Sequence, residues 1–281
     1  MQNPQKVKRA VEAIRQRLGG GFVSPQVGLV LGTGLSGLAR DLARGDNSVR
    51  VSFAEIPDYP AVSVDSHEGA YIFGHIGSTP VIAQLGRCHL YEGKTPEEVC
   101  MGVRVMAELG AGTLVITNAA GALNPLFEAG SLMRMTDYIN NTGVSPLAGK
   151  NNAAWGERFP DMSRVFDAKL GETAQECALK LGIALEKGVY IGVHGPEMET
   201  PAETRMYRQW GADAIGMSTV LEVIAARHCG MKVLGISCIS NRNLPDCMQE
   251  APLDEIIRMA GRAGEKLARL LPEIIRTISE K

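Results

Sequence analysis

A glycine-rich loop stands between a short apolar run and a helix-like pattern near the start of the chain. Residues 32–37 read G-T-G-L-S-G, directly after the apolar run 27–32. The backbone N–H groups of such a loop, together with the Thr33 hydroxyl, can hold a phosphate group. Three interpretations are open from this segment alone: the dinucleotide site of an NAD-dependent oxidoreductase, a cradle for a single phosphate, and a tight turn whose glycines allow close packing.

A dinucleotide site also needs an acidic residue at the end of a second strand. Glu55 lies near the required distance, but Pro57 and Pro60 follow it and the segment has no clear strand pattern. Proline is confined to the edges of sheets because it cannot donate a ladder hydrogen bond. The segment 52–60 therefore weighs against a nicotinamide cofactor.

A second group of polar side chains lies in the segment G-R-C-H-L-Y-E-G, residues 86–93. Arg87, His89 and Tyr91 occupy alternate positions, and on an extended chain they would point the same way. Arginine offers a planar fork to phosphate oxygens, and histidine adds a second donor. The run 115–125 is predicted as a buried strand that ends in a small-residue turn at 118–121, where backbone N–H groups could meet a ligand.

Two further strand ends carry polar residues immediately before a helix start. In residues 195–203 (GPEMETPAE) and 216–223 (GMSTVLEV), Thr200 and Thr219 each begin a capping box, with Glu203 and Glu222 three residues later. In open α/β sheets, ligands bind at the carboxyl ends of the strands. Four strand ends of this kind indicate one shared site.

Alternating strand and helix patterns predict an α/β fold with a largely parallel or mixed sheet covered on both faces. No linker or internal repeat divides the chain, so we expect a single domain over residues 1–281. The Gly-, Pro- and Asn-rich segment 140–165 is predicted to be a long loop, and loops of that length are often functional. The predicted strands are 27–32, 70–76, 79–85, 112–118, 131–139, 188–194, 213–217 and 232–240. The predicted helices are 4–18, 35–44, 96–109, 166–181, 201–210, 220–229 and 253–279.

The composition narrows the partners of the protein. Of 281 residues, 45% are hydrophobic and 21% are charged, and the net charge of −2 gives no reason to expect nucleic acid or an anionic membrane as a partner. No apolar run approaches the roughly 20 residues that cross a bilayer. The six cysteines form no C-x-x-C pair, so no metal site is expected. We expect buried, reduced thiols in a cytoplasmic protein.

Eight segments, in order, resemble the trimeric purine nucleoside phosphorylases. They are GTGLSGL, HEG, GRCHLYEG, TNAAGALNP, WGERFPDMS, GPEMETPAETR, GADAIGMSTVLEVIAARHCG and GISCISN. The resemblance runs from Val27 to Asn241 and continues more weakly into the last helix. It implies a single α/β domain with a mixed, partly barrel-like β-sheet surrounded by helices, assembled as a homotrimer with active sites near the subunit boundaries.

The resemblance also implies the reaction. Family members split 6-oxopurine nucleosides such as inosine and guanosine with inorganic phosphate, giving the free purine and α-D-ribose 1-phosphate. Phosphate is then a co-substrate, the glycine loop holds it, and no cofactor is expected.

The site residues follow by matching the motifs. Catalytic roles fall to His89, Glu199 and Asn241, with Glu92 orienting His89. The phosphate-binding residues are Thr33, His67, Arg87, His89, Ala119 and Ser218. The base-binding residues are Ala120, Gly121, Glu199 and Asn241. The ribose-binding residues are Tyr91, Phe159, Tyr190, Met198, Met217 and Leu253, of which Phe159 is expected to reach a neighbouring subunit's site.

The base-binding pair suits a 6-oxopurine. An ionised Glu199 is acceptor-only and fits the N1–H of such a base, whereas adenine presents an acceptor at N1. Asn241 offers a donor and an acceptor together, which suits O6 and a protonated N7. A mismatched polar group in a buried site discriminates strongly.

Two departures from the family pattern leave the substrate open. Thr33 stands where serine is more usual, and Leu253 stands where many members place a histidine for the ribose 5′-hydroxyl. A phosphorylase acting on 5′-methylthioinosine or 5′-methylthioadenosine is therefore an alternative. A nucleoside-binding protein without catalysis is a third hypothesis. The site residues that argue against it are intact: Arg87, His89, Glu199 and Asn241.

Overall fold

The computed structural model describes residues 3–32, 42, 45, 48–63 and 69–280. In these ranges the helices are α1 (Pro4–Leu18), α2 (Pro96–Val99), α3 (Met101–Glu108), α4 (Ala168–Lys180), α5 (Pro201–Gln209), α6 (Val220–His228) and α7 (Leu253–Ser279). The strands are β1 (Val27–Leu31), β2 (Val49–Ser52), β3 (Ala70–Ile76), β4 (Thr79–Leu85), β5 (Thr113–Ala122), β6 (Leu132–Asn141), β7 (Leu185–Val193), β8 (Ala214–Gly216) and β9 (Lys232–Arg242).

The nine strands form one mixed sheet, part of which closes on itself. The strand order is β2-β3-β4-β1-β5-β8-β7-β6-β9, and β9 also pairs with β5. This last pairing closes β5, β8, β7, β6 and β9 into a ring, while the other four strands extend from it as an open sheet. The pairs β1–β4, β1–β5, β5–β9, β6–β7 and β7–β8 are parallel, and the others are antiparallel. The predicted mixed, partly barrel-like α/β fold is confirmed.

Helices cover both faces of the sheet because its central strands are apolar on both faces. All five residues of β1 are buried, as expected for a strand between two parallel neighbours. Val30 packs in the cluster that α1, α3 and α6 share, whereas Leu29 packs in the cluster of α4 and α7. Successive residues of a strand face opposite sides, so one apolar run supplies both layers of the core.

The predicted element boundaries hold best for the long helices. Helices α1 and α7 span 4–18 and 253–279 as predicted. The predicted helix 96–109 is divided at Cys100 into α2 and α3, and the predicted turn at 118–121 is wrong because β5 runs straight through it. The edge strand β2 was missed, since only one of its four residues is buried. The predicted helix 35–44 lies mostly outside the described residues.

A long loop without helix or strand joins β6 to α4, as predicted for 140–165. The fully buried Arg104 of α3 anchors it, because its Nη2 donates to the Pro146 carbonyl at 3.1 Å and its guanidinium lies 4.3 Å from the centre of the Trp155 ring. Trp155 in turn donates to the Glu108 carboxylate at 2.8 Å. These contacts hold the loop against α3.

Two sequence-based expectations about exposure can be compared with the structure. All six cysteines lie in the described part of the chain and none is in a disulfide; Cys247 is exposed and Cys229 is partly exposed, so the expectation of buried thiols is correct for four of the six. Among the described helices, none combines the length and the apolar character that a membrane span requires.

Candidate active site

A cavity of about 340 Å³ opens where several strands of the ring end. Its walls come from the segment after β4, the ends of β5, β8 and β9, the loop between β7 and α5, and the start of α7. The four strand ends that the sequence singled out, those of β4, β5, β7 and β8, therefore converge on one site, and β9 joins them. One wall is rich in donors, and another carries a carboxylate with two amides.

The donor wall is built around Arg87, which is 2% exposed. Its Nη1 lies 3.1 Å from Glu222 Oε2, and its Nη2 donates to the carbonyl of Thr117. A Cβ on Gly32 would lie 3.0 Å from that same carbonyl oxygen and 3.3 Å from Arg87 Nη2. Glycine after β1 thus allows the backbone to approach β5 and the guanidinium closely, where a side chain would be tightly packed.

Ser218 enters this wall through an unusual turn. Thr219 has φ of 74°, and the N–H of Val220 donates to the Ser218 carbonyl at 2.8 Å, which makes a γ-turn. A positive φ in a β-branched residue costs about 1–3 kcal/mol. Two hydrogen bonds hold Thr219 in this conformation. Asn118 Nδ2 donates to Thr219 Oγ1 at 2.8 Å, and Thr219 N donates to Glu222 Oε2 at 3.0 Å. The turn places Ser218 at the N-terminus of α6.

His89 is held by a carboxylate. Glu92 Oε1 lies 2.8 Å from His89 Nδ1 and accepts the backbone N–H of the same residue at 2.7 Å. Its other oxygen accepts from Ser63 N at 3.0 Å and Ser63 Oγ at 2.5 Å. Burial opposes the ionisation of Glu92, but these hydrogen bonds outweigh it and lower its pKa. An ionised Glu92 stabilises a proton on Nδ1 and so orients the ring.

Tyr91 stacks on the His89 ring, with ring centres 4.7 Å apart and planes at 12°. The expected extended chain is wrong here, because residues Leu90–Glu92 form a 3-10 turn. Arg87, His89 and Tyr91 nevertheless line the same cavity.

The opposite wall carries a chain of polar side chains. Ser240 Oγ donates to Asn241 Oδ1 at 2.8 Å, Asn241 Nδ2 donates to Asn243 Oδ1 at 2.6 Å, and Asn243 Nδ2 donates to Glu199 Oε1. Burial raises the pKa of Glu199, and the nearby Glu203 carboxylate raises it further. This wall can accept at Glu199 and both donate and accept at Asn241.

A β-bulge brings the two amides to this wall. The register between β5 and β9 shifts after Ala120, which pairs with Ile239, so that Gly121 pairs with Asn241 and Ser240 is the extra residue. Bulges of this kind re-aim side chains next to active sites. Asn241 and Asn243 are two residues apart on an extended chain and therefore share a face.

The chain is similar to known nucleoside phosphorylases over nearly its whole length. A model of the Phosphorylase superfamily matches residues 26–276. Purine nucleoside phosphorylase 1 of Bacillus subtilis (strain 168) is 44% identical over 270 residues, which cover 96% of this chain and 97% of the relative. Purine nucleoside phosphorylase 1 of Geobacillus stearothermophilus is 42% identical, with 99% of both chains covered. The chain belongs to the purine nucleoside phosphorylase family.

A solved structure agrees with this assignment. The crystal structure of Schistosoma purine nucleoside phosphorylase in complex with hypoxanthine matches with a TM-score of 0.91, at 32% identity and with 98% of both chains covered. The family resemblance read from the sequence is therefore confirmed, and the chain is a pentosyltransferase of class EC 2.4.2.1.

Most of the residues that the family resemblance singled out lie around the cavity. They are Arg87, His89, Tyr91, Ala119, Ala120, Gly121, Met198, Glu199, Met217, Ser218, Asn241 and Leu253. Leu253 is 71% exposed at the start of α7 and Met198 is 49% exposed, so both lie towards the mouth of the cavity. Thr33 and His67 lie outside the described residues.

Two predicted ribose-binding residues do not line the cavity. Tyr190 is fully buried, and its hydroxyl lies behind Gly216 and 3.4 Å from the Ser218 carbonyl, so it supports the wall from behind. Phe159 is 85% exposed and lines a separate depression of about 440 Å³ with Tyr138 and Ile224. Neither residue lines the cavity of a single chain, and their ribose roles stay predictions.

Asn243 and Ile256 are among the cavity residues that sequence reasoning missed. Asn243 was missed although the N-x-N spacing at the end of a strand places both amides on one face. Ile256 was missed although it lies three residues after Leu253, on the same side of α7. Within the described ranges, no three histidine, cysteine or carboxylate side chains come together as a possible metal site.

Proposed function

We propose that this enzyme catalyses the phosphorolysis of 6-oxopurine nucleosides such as inosine and guanosine. The observation that carries the proposal is one cavity with two chemically different walls. The donors of Arg87, His89 and Ser218 suit an anion, and Glu199 with Asn241 suits the edge of a purine. Inorganic phosphate is the second substrate, and the reaction as proposed uses no cofactor.

The donor wall binds the phosphate nucleophile. Arg87 is fixed by Glu222 and His89 by Glu92, so neither side chain loses much freedom when phosphate binds. Ser218 lies beside the N-terminus of α6, where the helix dipole favours an anion. The backbone of Ala119 completes this set, with Thr33 and His67 proposed from the family resemblance.

The reaction exchanges one bond at the anomeric carbon. The bond between C1′ and N9 breaks, its electron pair stays on the purine, and a phosphate oxygen bonds to C1′ on the opposite face of the sugar. The transition state resembles an oxocarbenium ion, which the phosphate charge stabilises. Hydrogen phosphate loses its proton as it becomes the ester, and one proton is taken up at N7, so the purine leaves as a neutral base. The Asn241 carbonyl oxygen accepts a hydrogen bond from that N–H.

The carboxylate of Glu199 determines the choice of base in this proposal. As an ion it accepts from the N1–H of a 6-oxopurine, whereas adenine offers only a lone pair at N1. With adenosine, the Glu199 carboxylate and adenine N1 are two acceptors that face each other without a donor. In a partly buried site this mismatch disfavours adenosine.

The ribose end of the cavity supports a second candidate. Leu253 and Ile256 give it an apolar rim, with Met198 and Met217 nearby. A 5′-methylthio group would bury against such a rim, whereas a 5′-hydroxyl would find no partner on these four side chains. We therefore propose 5′-methylthioinosine as the alternative substrate.

We also propose that the enzyme works as a homotrimer. Phe159 is a large aromatic side chain with 85% of its surface exposed, beside an apolar depression. Such a patch is typical of a surface that another subunit covers. A neighbouring copy would receive Phe159 near its ribose site.

The test is hypoxanthine release from inosine by the purified enzyme, with and without phosphate, alongside adenosine and 5′-methylthioinosine. We expect phosphate-dependent release from inosine and little reaction with adenosine. Faster turnover of the methylthio compound than of inosine would favour the second candidate. No phosphate-dependent cleavage of either 6-oxopurine nucleoside would contradict both.

A further inference from the structure

Asn243 lies between the two residues that are proposed to read the base. It is 4% exposed, lines the cavity, donates to Glu199 and accepts from Asn241. The hydrogen bonds at the two ends of such a buried amide are coupled, because the direction of one fixes the direction of the other.

The charge of Glu199 sets the direction of the whole chain of hydrogen bonds. An ionised carboxylate can only accept, so Asn243 must turn its NH₂ group towards Glu199 and its carbonyl oxygen towards Asn241. Asn241 must then present its own NH₂ group to Asn243, with its oxygen towards the Ser240 hydroxyl. One N–H of Asn241 and one lone pair of its oxygen remain for the base.

The order of these side chains matches the order of atoms along a purine edge. Glu199, Asn243 and Asn241 are hydrogen-bonded in that sequence. On a purine, N1, the C6 substituent and N7 follow one another along one edge. If Glu199 meets N1 and Asn241 meets N7, Asn243 lies beside the C6 substituent.

The backbone leaves room for this amide at one position. A Cβ on Gly121 would lie 2.5 Å from Asn243 Nδ2 and 3.2 Å from Asn241 Nδ2. The glycine therefore lets both amides lie against β5. The bulge at Ser240 brings them there in register.

We infer that Asn243 is a positioning residue for base specificity, which couples the ionised Glu199 to the orientation of the Asn241 amide. This inference rests on the proposed 6-oxopurine phosphorolysis. Without Asn243, the Asn241 amide can rotate and Glu199 loses its fixed donor, so the discrimination between 6-oxo and 6-amino bases falls.

The substitution Asn243→Asp tests the direction of the chain. It keeps the shape but places a second carboxylate within hydrogen-bond distance of Glu199, and two such groups share a proton. A shared proton can be donated to N1 of adenine. We expect kcat/KM for inosine to fall at least about tenfold, and the adenosine-to-inosine ratio of kcat/KM to rise by a similar factor.

The pH profile separates this effect from a structural one. The gain in the ratio should be largest at low pH and disappear as the shared proton is lost with rising pH. Glu203 and Tyr207, both on α5, interact electrostatically with Glu199, and Arg87, His89 and Tyr91 line the same cavity. Hydrogen bonds from Thr200 lower the pKa of Glu203, which favours its ionised form.

A double-mutant cycle provides a second test. Asn243→Ala should reduce base discrimination much less in an Asn241→Ala background than in the wild type. The reason is that Asn243 acts by orienting the Asn241 amide, which the background variant lacks. Asn124→Ala is the matched control, since Asn124 donates to Asp213 at 2.8 Å outside the cavity. The control should lower stability without changing the base ratio. Thermal unfolding checks that each variant is folded.

The outcomes separate the two proposals. A wild-type enzyme that does not cleave inosine with phosphate would contradict the proposed function, and this inference with it. A wild type that cleaves inosine, with a base ratio and pH profile unchanged in Asn243→Asp and additive losses in the cycle, would overturn the role of Asn243 alone. If Asn243→Ala does not fold, the Asn243→Asp ratio decides.

Discussion

The guanidinium of Arg87 and the carboxylate of Glu222 form an ion pair of 3.1 Å in which both side chains are almost fully buried. Glu222 also accepts the Thr219 N–H, so one carboxylate fixes Arg87 and the turn that carries Ser218. In the proposed reaction, Glu222 holds the Arg87 guanidinium in position for phosphate.

Removing Glu222 should therefore damage stability and phosphate binding together. A buried pair that loses one partner leaves an uncompensated charge, which costs about 3–5 kcal/mol. For Glu222→Ala we expect a loss of this order in urea unfolding and a raised KM for phosphate. Glu128→Ala is the control, since Glu128 pairs with Arg242 on the surface, where the cost is about 0–1 kcal/mol. Equal losses in the two variants would contradict this role.

A methyl group on Gly32 should act on phosphate through the same arginine. The new Cβ in Gly32→Ala would lie 3.0 Å from the Thr117 carbonyl oxygen, which is backbone and cannot easily move. We expect a severalfold higher KM for phosphate and a smaller effect on the KM for nucleoside. Gly20→Ala is the control because nothing lies within 4 Å of its Cβ position. An unchanged phosphate KM would remove Gly32 from the phosphate site.

The Glu92 carboxylate should make stability depend on pH in a defined direction. Its pKa in the folded protein lies below its ordinary value of 4.5, since hydrogen bonds from Ser63 and His89 outweigh burial. When the pKa is lower in the folded than in the unfolded protein, the carboxylate stabilises the fold fully at pH values above the unfolded pKa. This stabilisation is lost as the pH falls through the folded pKa. The difference in unfolding free energy between wild type and Glu92→Gln should therefore be constant from pH 6 to 7 and shrink below about pH 4.5. A difference that grows with acidification would contradict this assignment.

Much of the fold could be read from the sequence, because local signals marked it. Thr95, Thr200 and Thr219 begin helices with the glutamate of a capping box three residues later, and all three boxes are present. The closure of the sheet could not be read, since β9 pairs with both β5 and β6 and no local pattern records a strand with two roles.

Some residues of the candidate site could also be predicted from the sequence, whereas others depend on tertiary structure. Arg87 and His89 were found from their spacing in residues 86–93 and Glu199 from a family motif, and all three line the cavity. Asn243 was missed because its place depends on the bulge at Ser240, which is a tertiary feature. Tyr190 lies behind Gly216 and not in the cavity wall, because successive residues of β7 face opposite sides.

The residue at position 253 should tune the choice of 5′ group. Leu253 is 71% exposed at the start of α7, so a polar replacement costs little stability. Leu253→His places a donor and acceptor at the rim, and we expect the inosine-to-5′-methylthioinosine ratio of kcat/KM to rise severalfold. Leu253→Met, which keeps the rim apolar, is the control. The same ratio in both variants would show that Leu253 does not contact the 5′ group.

Phe159 should act on a site in another subunit. Its ring is 85% exposed and does not line its own chain's cavity, and its loop is held by the contacts of Arg104 to Pro146 and Trp155. For Phe159→Ala we expect a severalfold higher KM for nucleoside, an unchanged KM for phosphate and an unfolding midpoint close to the wild type, because little buried surface is lost. Leu126→Ala is the control, since Leu126 is 82% exposed and lines neither the cavity nor the Phe159 depression. The Phe159→Ala and Glu199→Ala variants should each be impaired or inactive alone. Mixed trimers of the two should recover nucleoside binding, because a site with intact Glu199 then receives Phe159 from its neighbour. Kinetics that stay impaired after subunit exchange, or a Phe159→Ala enzyme identical to the wild type, would contradict a shared site.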